Sequence, residues 1–425
     1  MLETAYLRSK PEEARTRLTK RNLDADALLS KAAELDEHRR STQNILDARL
    51  AEMNDQSRTI GELMKAGKKA EAEAAKQRTA ELKDRITELK DELNGAERAL
   101  HDHLCNIPNV PQERVPAGKS PEENVTVMQH GELPQLPESA KPHWDLGTEY
   151  QLFSLEQGVK LTGAGFPVYT GQGAKLQRAL IAFFLDRAIA AGYVEVMPPL
   201  MVNAESAFAT GQLPDKEGQM YHATADDLYL IPTAEVPITN LFRDEILDAD
   251  QLPLKRVGHT PCFRREAGSY GKDVRGLNRV HQFDKVEIVR VEAPENSNAA
   301  LEEMTDHVKG LLEALELPYR QLLLCGGDMG FTSAITYDME VYAGAQKRWL
   351  EVSSISNFET FQSNRLKLRY RGEDKKPRLA HTLNGSALAL ARIVAALLEN
   401  NQTPEGIRIP AALRPYTGFD LIVKK

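Results

Sequence analysis

The chain has 425 residues, 41% of them hydrophobic, which is enough for two or three domains with a sizeable core and excludes a disordered or fibrous protein. Its formal net charge of -8 argues against indiscriminate nucleic-acid binding, so any such contact must come from local basic patches. No stretch approaches the roughly 18 apolar residues of a membrane helix, and the N-terminus lacks a signal-like apolar region, so we expect a cytoplasmic protein without membrane contacts.

Residues 28 to 104 are rich in Ala, Glu, Lys, Arg and Leu and poor in aromatic residues, a composition typical of long, solvent-exposed helices. In the second half of this segment, small and apolar residues recur at alternating spacings of four and three, the seam of a coiled coil. The seam residues are Ala75, Thr79, Leu82, Ile86, Leu89, Leu93, Ala96 and Leu100.

The first half carries the same repeat with polar interruptions. Its apolar positions are Leu28, Ala32, Leu35, Leu46, Met53, Ile60 and Leu63, interrupted by Arg39, Thr42, Arg49 and Gln56. The string KAGKK at 65 to 69, where the repeat loses phase, predicts a turn and hence an antiparallel hairpin. The first helix, of about 36 residues, projects roughly 54 Å. Periodicity leaves two uses open for this arm, oligomerisation or contact with a large partner.

A proline-rich string follows the arm at residues 106 to 125 and excludes regular helix there. Beyond it, helical segments mix with β-rich runs that are separated only by turns, a pattern that favours antiparallel pairing. We therefore predict an α+β fold, with a helical arm over residues 1–105, a linker over 106–145 and a second domain over 146–425, an antiparallel sheet flanked by helices.

The densest charged string is FRREAGSYGKDVRGLNRVHQFDKVE, residues 263 to 287, which predicts a strand, a glycine-rich polar loop and a second strand. By itself it permits a structural interpretation, in which Arg264 and Glu266 form cross-strand ion pairs on a solvated face. The chain contains neither a G-x-G-x-x-G string nor a P-loop, so a bound nucleotide must be held in another way.

This string resembles motif 2 of the class II aminoacyl-tRNA synthetases, in the form found in the seryl-tRNA synthetase family. The resemblance implies that Arg264 is catalytic and contacts both the α-phosphate of ATP and the serine carboxylate. A permanently charged, planar guanidinium suits this task because activation brings two anions together. The resemblance also places Arg265, Glu266, Val280 and Phe283 at the ATP site, with Glu266 beside the adenine and Phe283 stacked on it.

Residues 163 to 200 resemble motif 1 of the same family, a long helix that leads into a strand. The resemblance implies a homodimer interface in this segment. The periodicity of Leu176, Leu180, Phe183 and Phe184 favours a core face instead.

Residues 384 to 400 resemble motif 3, with Arg392 on a mostly apolar helix. A lone arginine is costly to bury unless an anion meets it. The resemblance implies a second catalytic, ATP-binding arginine that contacts the triphosphate.

The string IPTAEVP, residues 231 to 237, resembles the T-x-E string with which the family binds the amine of serine. It implies serine contacts for Thr233, Ala234 and Glu235. If the segment is extended, Thr233 and Glu235 point to the same face, although such pairs are also common on exposed strands. The resemblance adds Arg264, Glu287, Thr382 and Ser386 to the serine site.

The string EVSSISNF, residues 351 to 358, predicts a strand with Glu351 and Ser353 on one face and Ser354 on the other. The resemblance implies ATP contacts for Glu351, Val352, Ser353 and Ser354, with Glu351 and Ser354 as ligands of Mg²⁺, a cation that prefers oxygen ligands. Surface residues of a plain strand are the alternative.

The motifs together imply that the chain activates L-serine with ATP to seryl-adenylate and transfers serine to the 3′ end of tRNA(Ser) and of tRNA(Sec). The alternative is a paralogue that loads a carrier other than tRNA, against which the intact arm speaks. In the resembling family the arm grips the tRNA. The basic positions where we expect tRNA contacts are Arg39, Arg49, Lys65, Lys68, Lys69 and Lys76.

Overall fold

The computed structural model describes residues 1–215, 217–267 and 275–424. The chain forms two compact units. The N-terminal unit comprises Met1–Thr19 and Leu23–Pro108, and the larger unit, here called the sheet unit, comprises Lys20–Asn22 and Asn109–Lys425. No helix among the described residues is long and apolar enough to cross a membrane.

The N-terminal unit consists of helices, and two long ones form the predicted hairpin. Its helices are α1 (Thr4–Ser9), α2 (Pro11–Leu18), α3 (Ala25–Lys65) and α4 (Lys69–Leu104). The carboxylate of Asp24 caps α3 by accepting a hydrogen bond from the backbone N–H of Ala27 at 2.9 Å. Gly67 has a φ of +74° in the turn, a conformation that glycine adopts without strain. At 41 residues, α3 is about 60 Å long.

The predicted seam holds the hairpin together. Leu46 of α3 packs in one cluster with Ile86, Leu89 and Leu93 of α4. Thr42, predicted as an interruption, is buried inside the seam, where its hydroxyl donates to Glu92. This polar interruption is therefore a contact between the helices, which favours one register over others.

The sheet unit is built on an eight-stranded sheet in the order β1-β11-β12-β13-β16-β10-β9-β4. All neighbouring pairs in it are antiparallel except β4 with β9, which confirms the predicted α+β class. The strands are β1 (Val125–His130), β2 (Phe153–Ser154), β3 (Val168–Tyr169), β4 (Val194–Glu195), β5 (Met201–Val202), β6 (Tyr221–Ala223), β7 (Leu228–Leu230), β8 (Ile246–Asp248), β9 (Leu254–Phe263), β10 (Gln282–Glu292), β11 (Tyr319–Leu323), β12 (Ile335–Ala343), β13 (Arg348–Glu359), β14 (Arg369–Arg371), β15 (Pro377–Leu379), β16 (His381–Ala389), β17 (Gln402–Thr403), β18 (Gly406–Arg408) and β19 (Leu421–Ile422).

Helices cover the sheet and share the core with its strands. They are α5 (His143–Glu149), α6 (Leu155–Leu161), α7 (Gly171–Ala190), α8 (Ala204–Thr210), α9 (Glu235–Asn240), α10 (Ser297–Ala314), α11 (Thr360–Leu366), α12 (Leu390–Asn400) and α13 (Arg414–Thr417). Leu301 of α10 and Ile393 of α12 are fully buried in one cluster with Ile355 of the sheet. Burial of each such side chain contributes about 1.5–3 kcal/mol.

The motif 1 helix, α7, turns its apolar face inward. Leu176, Leu180, Phe183 and Phe184 are all buried in the core of the sheet unit. The core interpretation of these four residues is therefore confirmed, and a dimer interface would have to use other residues of the motif.

The segment predicted as a linker, 106–145, has structure of its own. Residues 125–130 form β1, which pairs with β11 at the edge of the central sheet. The first residue of α5, His143, is fully buried. Proline excludes helix from the beginning of the segment, but it does not prevent the later residues from pairing at a sheet edge.

The seam makes a stability prediction. Leu89→Ala should destabilise the hairpin by about 2–4 kcal/mol, because it leaves a cavity among Leu46, Ile86 and Leu93. Hydrogen exchange of the α3 and α4 amides in the full chain should accelerate accordingly. Glu88→Ala, which removes only an exposed ion pair with Arg85, is the matched control and should leave exchange nearly unchanged. Equal exchange in both variants would contradict a seam centred on Leu89.

Candidate active site

Polar side chains line up on the face of the central sheet opposite the core. Along β10, β16, β13 and β12 they alternate with core residues, as the pleat of a strand requires. The register sets Glu287 of β10 opposite Ser386 of β16, and Ser354 of β13 opposite Asp338 of β12. This polar row is the candidate active site.

Glu287 lies in the middle of the row and has no exposed surface. Its carboxylate accepts hydrogen bonds from Asn384 Nδ2 at 2.8 Å and Ser386 Oγ at 3.3 Å, and Lys285 Nζ forms an ion pair with it at 2.8 Å. A buried charge is tolerated when it is paired and hydrogen-bonded in this way. Sequence reasoning placed Glu287 and Ser386 here but missed Lys285 and Asn384.

A second buried carboxylate, Glu235, faces the same row. Gln362 Nε2 donates to Glu235 Oε1 at 2.7 Å, and Thr382 Oγ1 donates to Gln362 Oε1 at 2.8 Å. Burial, and after it the negative charge of Glu287, together raise the pKa of Glu235 to about 7. The predicted residues Glu235 and Thr382 are thus linked through Gln362, which sequence reasoning did not identify.

The backbone around Glu235 differs from the expectation of an extended segment. Strand β7 ends at Leu230, Ala234 has helical dihedrals (φ -65°, ψ -16°), and Glu235 begins α9. Pro237 suits this arrangement because proline is tolerated in the first turn of a helix. The Thr233 hydroxyl accepts a hydrogen bond from the backbone N–H of Glu235 at 3.2 Å. The pairing of Thr233 and Glu235 therefore depends on a turn, and the strand periodicity assumed for it was wrong.

Arg264 follows β9 directly at the edge of the row. Its Nε donates to the carbonyl oxygen of Pro232 at 3.4 Å, and its guanidinium lies 5.4 Å from the centre of the Phe283 ring. Glu266 accepts from Arg279 Nη1 at 2.8 Å. Glu266 therefore forms an ion pair with Arg279, farther along the motif 2 string, but neither residue lies on a strand. The cross-strand ion pairs of the structural interpretation are replaced by this loop contact and by the contact of Arg264 with a backbone carbonyl.

A β-bulge changes the expected faces of β13. The register with β12 shifts between Met339 and Glu340, so Glu340 lies opposite Glu351 and Asp338 lies opposite Ser354. Because Asp338 and Glu340 are two residues apart on β12, Glu351 and Ser354 share one face. The prediction that Glu351 and Ser354 lie on opposite faces was wrong, since strict alternation allows for no bulge.

Ser353 and Val352 point away from the row. Val352 belongs to the core cluster, and the buried hydroxyl of Ser353 donates to the carbonyl oxygen of Ser386 at 2.6 Å. Val280 is likewise buried in the core cluster. Val280, Val352 and Ser353 were predicted to contact ATP, but their side chains point away from the polar face. They can offer a ligand on that face only backbone atoms.

Arg392, near the start of α12, reaches the same site. Its Nε donates to the carbonyl oxygen of Asn278 at 2.9 Å, and its Nη1 donates to the carbonyl oxygen of Glu351 at 2.7 Å. The Glu351 carboxylate is 3.8 Å from Nη1. Burial lowers the pKa of Arg392 while Glu351 opposes that effect, so the guanidinium stays charged. We expected a lone buried arginine to need a partner, and Arg392 has three: two backbone carbonyls and the carboxylate of Glu351.

Two other parts of the prediction concern residues that are not members of the polar row. The backbone N–H of Arg265 donates to Gln219 at 3.0 Å, and residues 268–274 of the motif 2 string lie outside the described residues. The six basic positions predicted for tRNA contact belong to the N-terminal unit. Four of them form ion pairs one helical turn away, Arg39 with Asp36, Arg49 with Glu52, Lys68 with Glu71 and Lys76 with Glu73.

The described residues contain no group of three His, Cys, Asp or Glu side chains that could hold a metal ion. The face shared by Glu351 and Ser354 nevertheless fits a hard cation that is also bound by phosphate oxygens. Asp338 lies on that face, and its Oδ1 is buried without a hydrogen-bond partner. Burial raises the pKa of Asp338, and the Glu351 carboxylate adds to this. An orphaned carboxylate oxygen of this kind is what a nearby cation would stabilise.

Family models match both units. Residues 1–111 match the seryl-tRNA synthetase N-terminal domain, and residues 220–401 match the tRNA synthetase class II core domain of the G, H, P, S and T enzymes.

Full-length relatives agree with these matches. A protein named serine--tRNA ligase from Salinibacter ruber is 51% identical and covers 99% of this chain and 98% of its own length. A crystal structure of seryl-tRNA synthetase from Pyrococcus horikoshii, complexed with ATP, is 34% identical, covers 100% of both chains and superposes with a TM-score of 0.94. The cytoplasmic serine-tRNA ligase of Naegleria fowleri, in complex with AMP, is 26% identical over 98% of this chain and 96% of its own, with a TM-score of 0.88. The chain therefore belongs to the seryl-tRNA synthetase family, as its motifs predicted.

Proposed function

We propose that the chain is a serine–tRNA ligase, which activates L-serine with ATP and then transfers serine to the 3′ end of tRNA(Ser) and of tRNA(Sec). The observation that carries the proposal is the pair of buried carboxylates, Glu235 and Glu287, on the same polar face as Arg264. Such a face suits a small zwitterion with a polar side chain. Full-length relatives named serine--tRNA ligase support the same conclusion.

The serine pocket follows from charge and hydrogen bonding. Glu235, with Thr233 beside it, meets the ammonium group of serine, and Arg264 meets the carboxylate. Glu287 and Ser386 lie where a substrate hydroxyl can exchange hydrogen bonds with them, while Thr382 holds Glu235 through Gln362. Alanine has no hydroxyl with which to form hydrogen bonds to Glu287 and Ser386, so the pocket discriminates against it.

Activation needs positioning and charge stabilisation rather than a general base. An oxygen of the serine carboxylate, already ionised, attacks the α-phosphorus, and the bond to the β-phosphate oxygen breaks, giving seryl-adenylate and pyrophosphate. Arg264 stabilises the charge on the α-phosphate, and Arg392 takes the outer phosphates. Phe283, held under the Arg264 guanidinium, offers an aromatic face for the adenine, with Glu266 close by.

We propose Glu351 and Ser354 as the residues that hold Mg²⁺ together with ATP. Their shared face and the orphaned Oδ1 of Asp338 support this assignment. When bound, the cation neutralises phosphate charge in the transition state. The side chains of Glu351 and Ser354 would fix its place relative to Arg392, whose Nη1 contacts the carbonyl oxygen of Glu351.

We further propose that the enzyme is a cytoplasmic homodimer. Motif 1 exposes apolar side chains after α7, with Met197 90% and Val194 56% exposed and Leu200 and Met201 also accessible to solvent. Several large apolar side chains exposed within eight residues of the chain are a feature typical of protein interfaces. These residues, rather than the buried face of α7, would meet the second copy.

The hairpin over residues 28–104 is proposed to hold the tRNA. Its length of about 60 Å and its exposed basic residues suit a partner with a phosphate backbone. A paralogue that loads another carrier would have no use for such an arm, so tRNA is the favoured acceptor.

Arg264→Ala should reduce serine-dependent ATP–pyrophosphate exchange by roughly 10²–10³-fold, because a charge-stabilising donor at the transition state is lost. Exchange is measured with serine, threonine and alanine in parallel. Arg408→Ala removes an exposed arginine paired with Glu316 and should leave exchange unchanged. Absence of serine-dependent exchange in the unmodified enzyme would refute the proposed activity.

Serine binding should depend on pH through Glu235. Its pKa is raised to about 7, so the anion that attracts the ammonium group is present above pH 7 and is lost as the pH falls. We expect the KM for serine in pyrophosphate exchange to rise about tenfold per pH unit below 7. In Glu235→Gln, which keeps the shape of the side chain, the KM should be high and independent of pH. A constant KM between pH 8 and 6 in the unmodified enzyme would argue against this role.

Removing the charges at the tip of the arm should impair the transfer of serine to tRNA and leave the activation of serine unchanged. In the triple variant Lys65→Ala, Lys68→Ala, Lys69→Ala, the KM for tRNA in charging should rise and its salt dependence should weaken, because fewer counterions are released. Pyrophosphate exchange should not change.

The matched control removes three exposed lysines from the sheet unit, Lys119, Lys375 and Lys376. It should leave tRNA charging close to normal. Charging that is equally impaired in both triple variants, or exchange that falls with charging, would show that the arm tip has no specific role.

A further inference from the structure

A buried histidine outside the three motifs connects two of them. His143, the first residue of α5, and Glu399, near the end of α12, are both without exposed surface. His143 Nδ1 lies 2.8 Å from Glu399 Oε1, and its Nε2 lies 2.8 Å from the backbone nitrogen of Leu277. Leu277 belongs to the motif 2 string and Glu399 to the motif 3 helix, so one imidazole bridges both.

The bridge defines the tautomer of His143. The backbone N–H of Leu277 can only donate, so Nε2 must accept, and the ring proton therefore sits on Nδ1 and is donated to Glu399. Gln346 Nε2 also lies 3.3 Å from Nδ1, but it donates to Glu399 Oε1 at the shorter distance of 2.8 Å, which leaves the Nδ1 proton for the carboxylate.

Glu399 is held as firmly as the histidine. Oε1 also accepts from the backbone N–H of His143 at 3.0 Å and from Gln346 Nε2 at 2.8 Å. Oε2 accepts from the backbone N–H groups of Ala345 and Gln346, both at 3.1 Å. The turn between β12 and β13 therefore joins the same network, in which the buried carboxylate is fully satisfied.

The chain approaches the histidine too closely for any residue but glycine. Gly276 has a φ of +68°, and a Cβ there would come within 2.2 Å of His143 Nε2. Next to it, the guanidinium of Arg275 stacks on the ring of Trp144 at 4.4 Å. Residues 275–277 therefore pack directly against the first two residues of α5, His143 and Trp144.

The network ends at Arg392. The carbonyl oxygen of Asn278, the residue after Leu277, accepts from Arg392 Nε at 2.9 Å, and Asn278 Nδ2 donates to Gln346 at 2.8 Å. Arg392 and Glu399 are seven residues apart on α12 and so lie on one face of that helix, about 10 Å apart along its axis. The imidazole thus sets the position of the carbonyl that orients the Arg392 guanidinium.

We propose that His143 is a positioning residue for ATP: supported by Glu399, it holds the end of motif 2 where Asn278 orients Arg392 toward the outer phosphates. The inference rests on the proposed function, because Arg392 is taken there as a phosphate ligand. His143 itself touches neither substrate.

Two substitutions at position 143 separate the two halves of the bridge. His143→Asn keeps a donor near Glu399 but offers no acceptor to Leu277, whereas His143→Gln places its oxygen near the Nε2 position. We expect the ATP dissociation constant, measured by calorimetry without serine, to rise about tenfold in His143→Asn and less in His143→Gln. The KM for serine in pyrophosphate exchange should stay within about twofold in both.

A purely structural role predicts another result. Both variants would lose thermal stability to a similar degree, with ATP affinity unchanged or with ATP and serine affected alike, and either finding would overturn the proposal. Gln346→Ala is a second, milder variant at a half-buried turn residue, with an expected loss of ATP affinity of about threefold. Unchanged ATP affinity in Gln346→Ala and His143→Asn together would also overturn it.

A double-mutant cycle tests the route through Arg392. His143→Asn should weaken ATP binding much less in an Arg392→Gln background than in the unmodified enzyme, because the guanidinium it positions is gone. Additive losses would refute that route. Calorimetry with ATP alone keeps this test separate from the proposed function, which fails if the unmodified enzyme shows no serine-dependent exchange.

Discussion

Burying carboxylates on one face of an antiparallel sheet is the constraint on which the rest of this structure depends. Glu287 and Glu235 lie out of water, so each must be compensated by a donor or a cation. Glu287 obtains Lys285, Asn384 and Ser386. Glu235 accepts a hydrogen bond from Gln362 but forms no ion pair with a cation of the described residues, and it keeps a raised pKa. The incomplete compensation of Glu235 leaves it suited to a cationic group of a substrate.

The same logic organises the phosphate end of the site. Arg392 is held by two backbone carbonyls, so its charge is placed before any anion arrives, as electrostatic preorganisation requires. Asp338 keeps an unpartnered oxygen beside Glu351 and Ser354. Arg392 thus gives one part of the site an excess of positive charge, and Asp338 with Glu351 gives the neighbouring part an excess of negative charge. This arrangement suits a nucleotide bound together with a divalent cation.

The N-terminal unit is stabilised in a different way from the sheet unit. Its hairpin has a narrow seam and exposes most of its surface, so its stability depends on a few residues such as Leu89 and on the polar pair of Thr42 and Glu92. A long helix pair of this kind provides length rather than a catalytic group. The polar row and the long hairpin therefore belong to two separately packed units.

The sequence alone determined the hairpin, the α+β class and the family, because a heptad repeat, antiparallel β runs and charged motif strings are local patterns. Only the tertiary structure decided which side chains meet. The bulge that brings Glu351 and Ser354 onto one face, the helical turn at Glu235 and the links through Gln362 and His143 all depend on register or on contacts between residues distant in the chain. No periodicity encodes a single inserted residue or a partner more than a hundred positions away.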